Sequence, residues 1–192
     1  MRKIKLVRTV IASFAILTCV AAAQQSSTEK KDAAPAMQAP KPGPEMDKVK
    51  FLIGAWTLDG EYLKSPMIPQ GGKSTGWYKA ALGPGGFSVI ADFEGDGPLG
   101  KEIGHQVFSW DPKQNGYTVV TVGNNFPGAL IGKAHWEGQN LVTETEFEEG
   151  GGKMFFRAVY SGVQEKTLHI EESFKIGDGP FQLMWKTDAT KK

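Results

Sequence analysis

The sequence predicts an all-β fold: an antiparallel up-and-down barrel of about ten strands, preceded by one short helical turn. Three observations carry this. Beyond residue 54, apolar and polar residues alternate with a period of two, as in strands that bury one face. Glycine (24 residues) and proline (11) punctuate those runs with turn signals, and aromatic residues, 10% of the chain, suit a pleated surface. No segment between turns is long and periodic enough for a crossover helix, so neighbouring strands must run antiparallel.

The first residues read as an address. Arg2, Lys3, Lys5 and Arg8 precede an apolar run over residues 9–20, too short to span a bilayer comfortably, and Ala21-Ala22-Ala23 supplies small residues for cleavage. Residues 1–23 are therefore expected to be a secretory signal peptide, with an uncleaved anchor or a lipoprotein lipidated at Cys19 as the alternatives. The expected compartment is periplasmic or extracellular. Residues 24–45 hold Pro35, Pro40, Pro42 and Pro44 and no aromatic residue, so they read as a disordered linker. The folded domain is expected over 46–192. Residues 46–53 form the helical turn, with apolar positions at 46, 49, 52 and 53, stopped by Gly54. The strands are expected at 54–63, 73–82, 86–94, 102–110, 116–123, 129–137, 140–148, 153–161, 167–176 and 181–189. Signals such as Gly83-Pro84-Gly85, Asp111-Pro112, Asn115-Gly116 and Gly138 separate them. Ten short strands must protect their edges. Closure into a barrel does so, with a sandwich as the rival.

Composition excludes several functions. The formal charge is +1, and loss of the four leader charges would leave 18 basic against 21 acidic residues, or −3. Neither balance supports a nucleic-acid partner. A single cysteine excludes an internal disulfide and any CxxC metal site. After leader cleavage no membrane span remains.

Alternation then nominates a lumen. Phe87, Val89, Ala91 and Phe93 share one face, as do Leu141, Thr143, Thr145 and Phe147. Leu168, Ile170, Phe174 and Ile176 form another apolar set, with Phe181, Leu183 and Trp185 completing it. In 153–161, Met154, Phe156, Ala158 and Tyr160 oppose Phe155, Arg157 and Val159, and polarity does not decide which face turns inward. An apolar, aromatic lining suits a small-molecule pocket. The same residues could equally pack together without a cavity.

Residues 50–56, in which Gly54-x-Trp56 follows a helical turn, resemble the opening of lipocalin-like (calycin) barrels. Gly85-Gly86-Phe87, Ser109-Trp110-Asp111 with Tyr117, Gly132, Trp136-Glu137-Gly138, Arg157 and Glu171-Glu172-Ser173 extend the series. Together they resemble the bacterial family of domain of unknown function 1579, itself similar to nitrobindin and fatty-acid-binding barrels. The resemblance covers about residues 46–187 and implies a ten-stranded barrel with Gly54 and Trp56 as structural residues at its base. It also implies a lipophilic ligand or haem. Gly179-Pro180-Phe181 departs from the expected turn, which leaves the last hairpin open.

Candidate chemistry is sparse. His105, His135 and His169 have no compact metal-ligand spacing, and each lies on the polar face of its strand. Haem ligation by His169 would need that side chain inward, so no cofactor is expected. No Gly-x-Ser-x-Gly elbow and no thiol beyond the leader is present, and Gly83-Pro84-Gly85-Gly86 precedes a strand where a phosphate loop needs a helix. No catalytic residue is nominated. One polar pair stands out. Arg157 is the only arginine after the leader, and Glu172 interrupts an apolar run between Ile170 and Phe174. A hairpin turning near residues 164–165 would set them opposite each other, where an inward guanidinium could clamp Glu172 or a ligand carboxylate. The expected function is an exported barrel binding a small hydrophobic molecule, one that can carry a carboxylate. The expected lining is Arg157, Glu172, Phe87, Val89, Phe93, Phe147, Tyr160, Phe174 and Trp185. A packed barrel acting as an envelope interaction module is the alternative, and a haem-binding nitrobindin-like barrel the third reading.

Overall fold

The computed structural model describes residues 40–66, 68–149 and 151–192. The expected signal peptide, and the linker as far as residue 39, lie outside the described residues. A helical turn, α1 (Glu45–Lys48), runs into a 3-10 turn (Lys50–Leu52). Ten strands follow: β1 (Gly54–Tyr62), β2 (Gly72–Leu82), β3 (Ser88–Gly97), β4 (Gly100–Asp111), β5 (Gly116–Gly123), β6 (Leu130–Glu137), β7 (Asn140–Glu149), β8 (Gly152–Ser161), β9 (Thr167–Ile176) and β10 (Gln182–Lys191). Each pairs antiparallel with its sequence neighbour, and β1 pairs with β10 over Trp56–Lys191 to Tyr62–Trp185, closing the barrel. Among the described residues no sheet edge is left open, which resolves the choice between barrel and sandwich.

Local sequence explains where the strand ends differ from expectation. Gly85 and Gly86 take positive φ (65° and 79°) inside a 3-10 turn, so β3 begins at Ser88 and not at residue 86. Gly97 pairs with Gly100 across a two-residue turn of Pro98 and Leu99, which extends β3 and β4 toward each other. The register between β10 and β9 shifts between Leu183 and Trp185, a bulge that breaks strict alternation and buries Met184.

The helical turns plug one end. Met46, Val49 and Leu52 are buried against Val89, Phe108, Tyr117, Val119, Ala134 and Leu141. Trp56 is 1% exposed and donates from Nε1 to the Leu52 carbonyl at 2.9 Å, tying the plug to β1. Tyr117 Oη donates to the Glu45 carbonyl at 2.7 Å, tying it to β5. At the opposite end the β1–β2 loop lays Ile68 over the mouth, against Phe174, Met184, Tyr62, Met154 and Phe156. Among the described residues, no helix is long and apolar enough to cross a membrane.

Candidate functional site

Pairing register fixes which side chains enter the lumen. Trp56, Leu58, Gly60 and Tyr62 of β1 share a face with Ser74, Gly76 and Tyr78 of β2, and that face is continuous around the barrel. At the plugged end the lumen is filled by aliphatic and aromatic core. Midway and toward the mouth it becomes aromatic and polar. Tyr62 and Trp185 stack with centroids 5.3 Å apart and planes 5° off parallel, and Phe147 stacks on Phe156 at 5.3 Å. Gly60 makes room for the first stack: a Cβ there would lie 2.4 Å from Trp185 Nε1, 2.5 Å from Ser74 Oγ and 2.9 Å from Thr187 Oγ1. Trp185 Nε1 donates to Ser74 Oγ at 2.9 Å.

Two carboxylates face this space. Glu172 pairs in register with Ala158 and Trp185 and points inward; Glu102 enters from β4 opposite Gly95. Burial pushes the Glu172 carboxyl up to about 8, and the Glu102 charge adds to the effect. Burial also raises Glu102, offset in part by the hydrogen bond that Asn125 Nδ2 donates to its Oε1 at 2.9 Å. Tyr62 and Tyr160 are both held above the ordinary phenol range, first by burial and then by the neighbouring Glu172 charge. Two further polar atoms are buried without a partner, Thr187 Oγ1 and Tyr78 Oη. Among inward positions of the described strands the sole basic residue is Lys191, and it lies at the plugged end, its Nζ 5.1 Å from the centre of the Trp56 ring. The void between Leu58, Tyr62, Ser74, Gly76, Glu102 and Trp185 measures about 20 Å³, room for one water-sized group.

Of the expected lining, Val89, Phe93, Phe147, Tyr160, Phe174, Trp185 and Glu172 all stand on the inward face. Phe87 does not. It ends the Gly85-Gly86 turn in αR geometry ahead of β3 and is 41% exposed. Arg157 does not either. It pairs with Ser173 and Glu144, one residue out of the expected register, so its side chain lies on the outer face. There its Nη2 donates to both Glu137 oxygens, at 2.9 and 2.8 Å. The clamp expected for a ligand carboxylate is therefore not in the lumen. Gly54 takes φ 129° at the start of β1, where a Cβ would meet Lys191 Cε at 2.4 Å.

The histidines stand outside. His169 Nδ1 lies 2.9 Å from Asp188 Oδ1 and its Nε2 3.7 Å from Glu171, both on the outer face. His105 lies against Asp92, and His135 against Glu137. A haem in the lumen would find no imidazole, and the residues present do not fit that group. Sequence reasoning missed Glu102, Tyr62, Tyr78, Ser74, Gly60 and Thr187. Each sits in an ordinary alternating run, and only closure of β1 against β10 sets Gly60 beside Thr187.

A closed ten-stranded antiparallel barrel plugged at one end by a short helix is a lipocalin-like, calycin-type fold. Solved structures resemble it to different degrees. The M. tuberculosis protein Rv2717c superposes with a TM-score of 0.56 at 14% identity, covering 79% of this chain and 99% of that one. The S-type phycobiliprotein lyase CPES from Guillardia theta follows at 0.48 and 10% identity, over 77% of this chain and 90% of that one. EF1p2_mFAP2b bound to DFHBI gives 0.42 and 11%, over 77% and 98%. No protein-family model and no curated protein matches the chain by sequence.

Proposed function

We propose that the barrel binds one small hydrophobic molecule in its lumen, and that it does so as an exported member of the 1579 family. The observation that carries the binding reading is the set of buried polar atoms left unpaired beside stacked aromatic rings. Thr187 is 1% exposed, yet its hydroxyl has no partner; Tyr78 Oη is in the same state. Folded proteins pair nearly all such groups, because an unmet buried donor or acceptor costs about 1–3 kcal/mol. A ligand resting on Tyr62 and Trp185 would supply the partner that Thr187 lacks. The void of about 20 Å³ takes a head group alone, so an apolar tail must displace Ile68 from the mouth. That side chain already occupies the place a tail would take. The leader over residues 1–23 supports export.

The packed-barrel reading draws on a different surface. Ile90, Val107, Val120 and Ile131 form one row across β3 to β6 on the outer face, and Ile131 is 65% exposed. A protein partner would cover that row. Native mass spectrometry of the protein purified from its own host separates the two. A co-purified small molecule, lost on denaturation, supports the binding barrel. Bare protein throughout, with a stable protein complex in its place, overturns it.

A further inference from the structure

We propose, building on the binding reading above, that the ligand of this lumen carries a basic nitrogen, an aliphatic ammonium or comparable N–H donor, and that Glu172 receives it with Thr187 as a further partner. Among the described residues, the lumen around Glu172 has acceptors and no cation to meet them. Glu172 projects inward between Ala158 on one side and Trp185 on the other. No counter-charge or hydrogen-bond donor meets its carboxylate among the described residues, and the charge that acts on it is a second carboxylate, Glu102. The hydroxyl of Thr187, 1% exposed, is an independent unmet acceptor on the same inner face. Lys191 is out of reach at the plugged end, and Arg157 is committed to Glu137 outside.

Charge and size agree on the head group. A ligand carboxylate would meet two acidic side chains, with no cation and no donor beyond a hydroxyl or a proton held by Glu172 itself, so it is disfavoured by desolvation and repulsion together. An ammonium is close to water in size, which matches the void of about 20 Å³ lined by Glu102 and by Trp185, the register partner of Glu172. It also forms charge-assisted hydrogen bonds, roughly twice as strong as neutral ones. Tyr62 and Trp185 add ring faces that attract a cation. The carboxyl of Glu172, pushed up to about 8, is mostly protonated at pH 7 in the free protein. Uptake of an ammonium therefore expels about one proton, whichever partner keeps the shared one.

Three probes with one tail test this: octylamine, octanol and octanoate, titrated calorimetrically into the protein in two buffers of different ionisation enthalpy. Intrinsic tryptophan emission provides a second signal. Octylamine is expected to bind about tenfold tighter than octanol or better, with release of about one proton at pH 7, and octanoate weakest of the three. Glu172→Gln should bring octylamine to within about threefold of octanol measured in the same variant and abolish the proton release. Thr187→Val should weaken octylamine by a smaller factor, and Glu171→Gln, on the outer face of the same strand, should change nothing. Octanol binding with octylamine no tighter, or an amine advantage that survives Glu172→Gln, overturns the head group while leaving the binding barrel standing. Failure of all three tails to bind overturns the binding reading, and this proposal with it.

Discussion

Arg157 and Glu172 lie on neighbouring strands and face opposite sides of the sheet. Arg157 is in register with Ser173, and Glu172 with Ala158. The five-residue connection 162–166, closed by the bond from Gln164 N to the Thr167 carbonyl, sets that register. A turn centred half a residue earlier would have made them a pair. One residue of slip moves a side chain from lumen to solvent, so the loop decides the electrostatics of the interior.

Arg157→Leu should accordingly leave lumen binding untouched. The substitution removes an outer-face ion pair with Glu137 and a longer contact, 3.9 Å, to Glu144. Such pairs contribute about 0–1 kcal/mol, so urea unfolding should shift by no more than that. A loss of octanol or octylamine affinity in this variant would place the guanidinium inside and contradict the register.

Glu172 ties stability to pH, and the sign follows from its environment. Its carboxyl stays protonated in the native state up to about 8, against an ordinary value of 4.5 when unfolded. Between those values the unfolded chain has released the proton and the native chain has not. Stability therefore falls as pH rises through that window and levels off above it. The groups facing Glu172 are Tyr62, Tyr160 and Glu102; the phenols stay protonated throughout, and Glu102, also raised, contributes with the same sign. Thermal unfolding from pH 5 to 9 should show Glu172→Gln flatter than the parent chain and more stable at pH 8, by about 1–3 kcal/mol. Parallel curves for the two proteins would show Glu172 to be solvated.

The ten strands and their order could be read from sequence because a period of two and glycine-rich turns are local signals. Glu172 was legible for the same reason, as a charge interrupting an apolar face. Register is not local. The loop before Thr167 decides the face of Arg157, and the Gly85-Gly86 turn carries Phe87 out of β3 before the strand begins. Thr187 and Gly60 become neighbours only when β10 meets β1, far apart in the chain. Glu102 follows a turn, where a polar residue is ordinary, and nothing before folding marks it as inward.

Trp56 joins plug to barrel. Its indole is fully buried, donates to the Leu52 carbonyl at 2.9 Å, and packs with Leu168 and Ala189 on the strands that close the cylinder. Trp56→Ala should destabilise by about 3–5 kcal/mol, the range for truncating a buried tryptophan. Trp56→Phe keeps most of the volume but leaves the Leu52 carbonyl unmet, a cost of about 1–2 kcal/mol. Guanidinium unfolding of both variants checks the ranking. Equal costs would mean that volume, and not the hydrogen bond, anchors the plug.

Gly60 and Gly95 both lack a side chain on the lumen face, and the neighbours they face give opposite expectations. At Gly60 an added methyl would fall 2.4 Å from Trp185 Nε1 and 2.5 Å from Ser74 Oγ. The indole must then move, which breaks its hydrogen bond to Ser74 and its stack on Tyr62. At Gly95 the nearest atom to an added methyl is the Thr75 carbonyl oxygen at 4.0 Å, so the methyl enters free space. Gly60→Ala should therefore cost about 1–3 kcal/mol, as overpacked sites do, and red-shift tryptophan emission as Trp185 leaves its stack. Gly95→Ala should be neutral or mildly stabilising, by up to about 1 kcal/mol, because it restricts the unfolded chain without strain. Because Gly95 borders the same void, the methyl should also weaken octylamine by narrowing the room for its head group. Emission spectra, unfolding curves and one titration on the two variants test the arrangement. A silent Gly60→Ala would mean that Trp185 does not stack where the barrel places it.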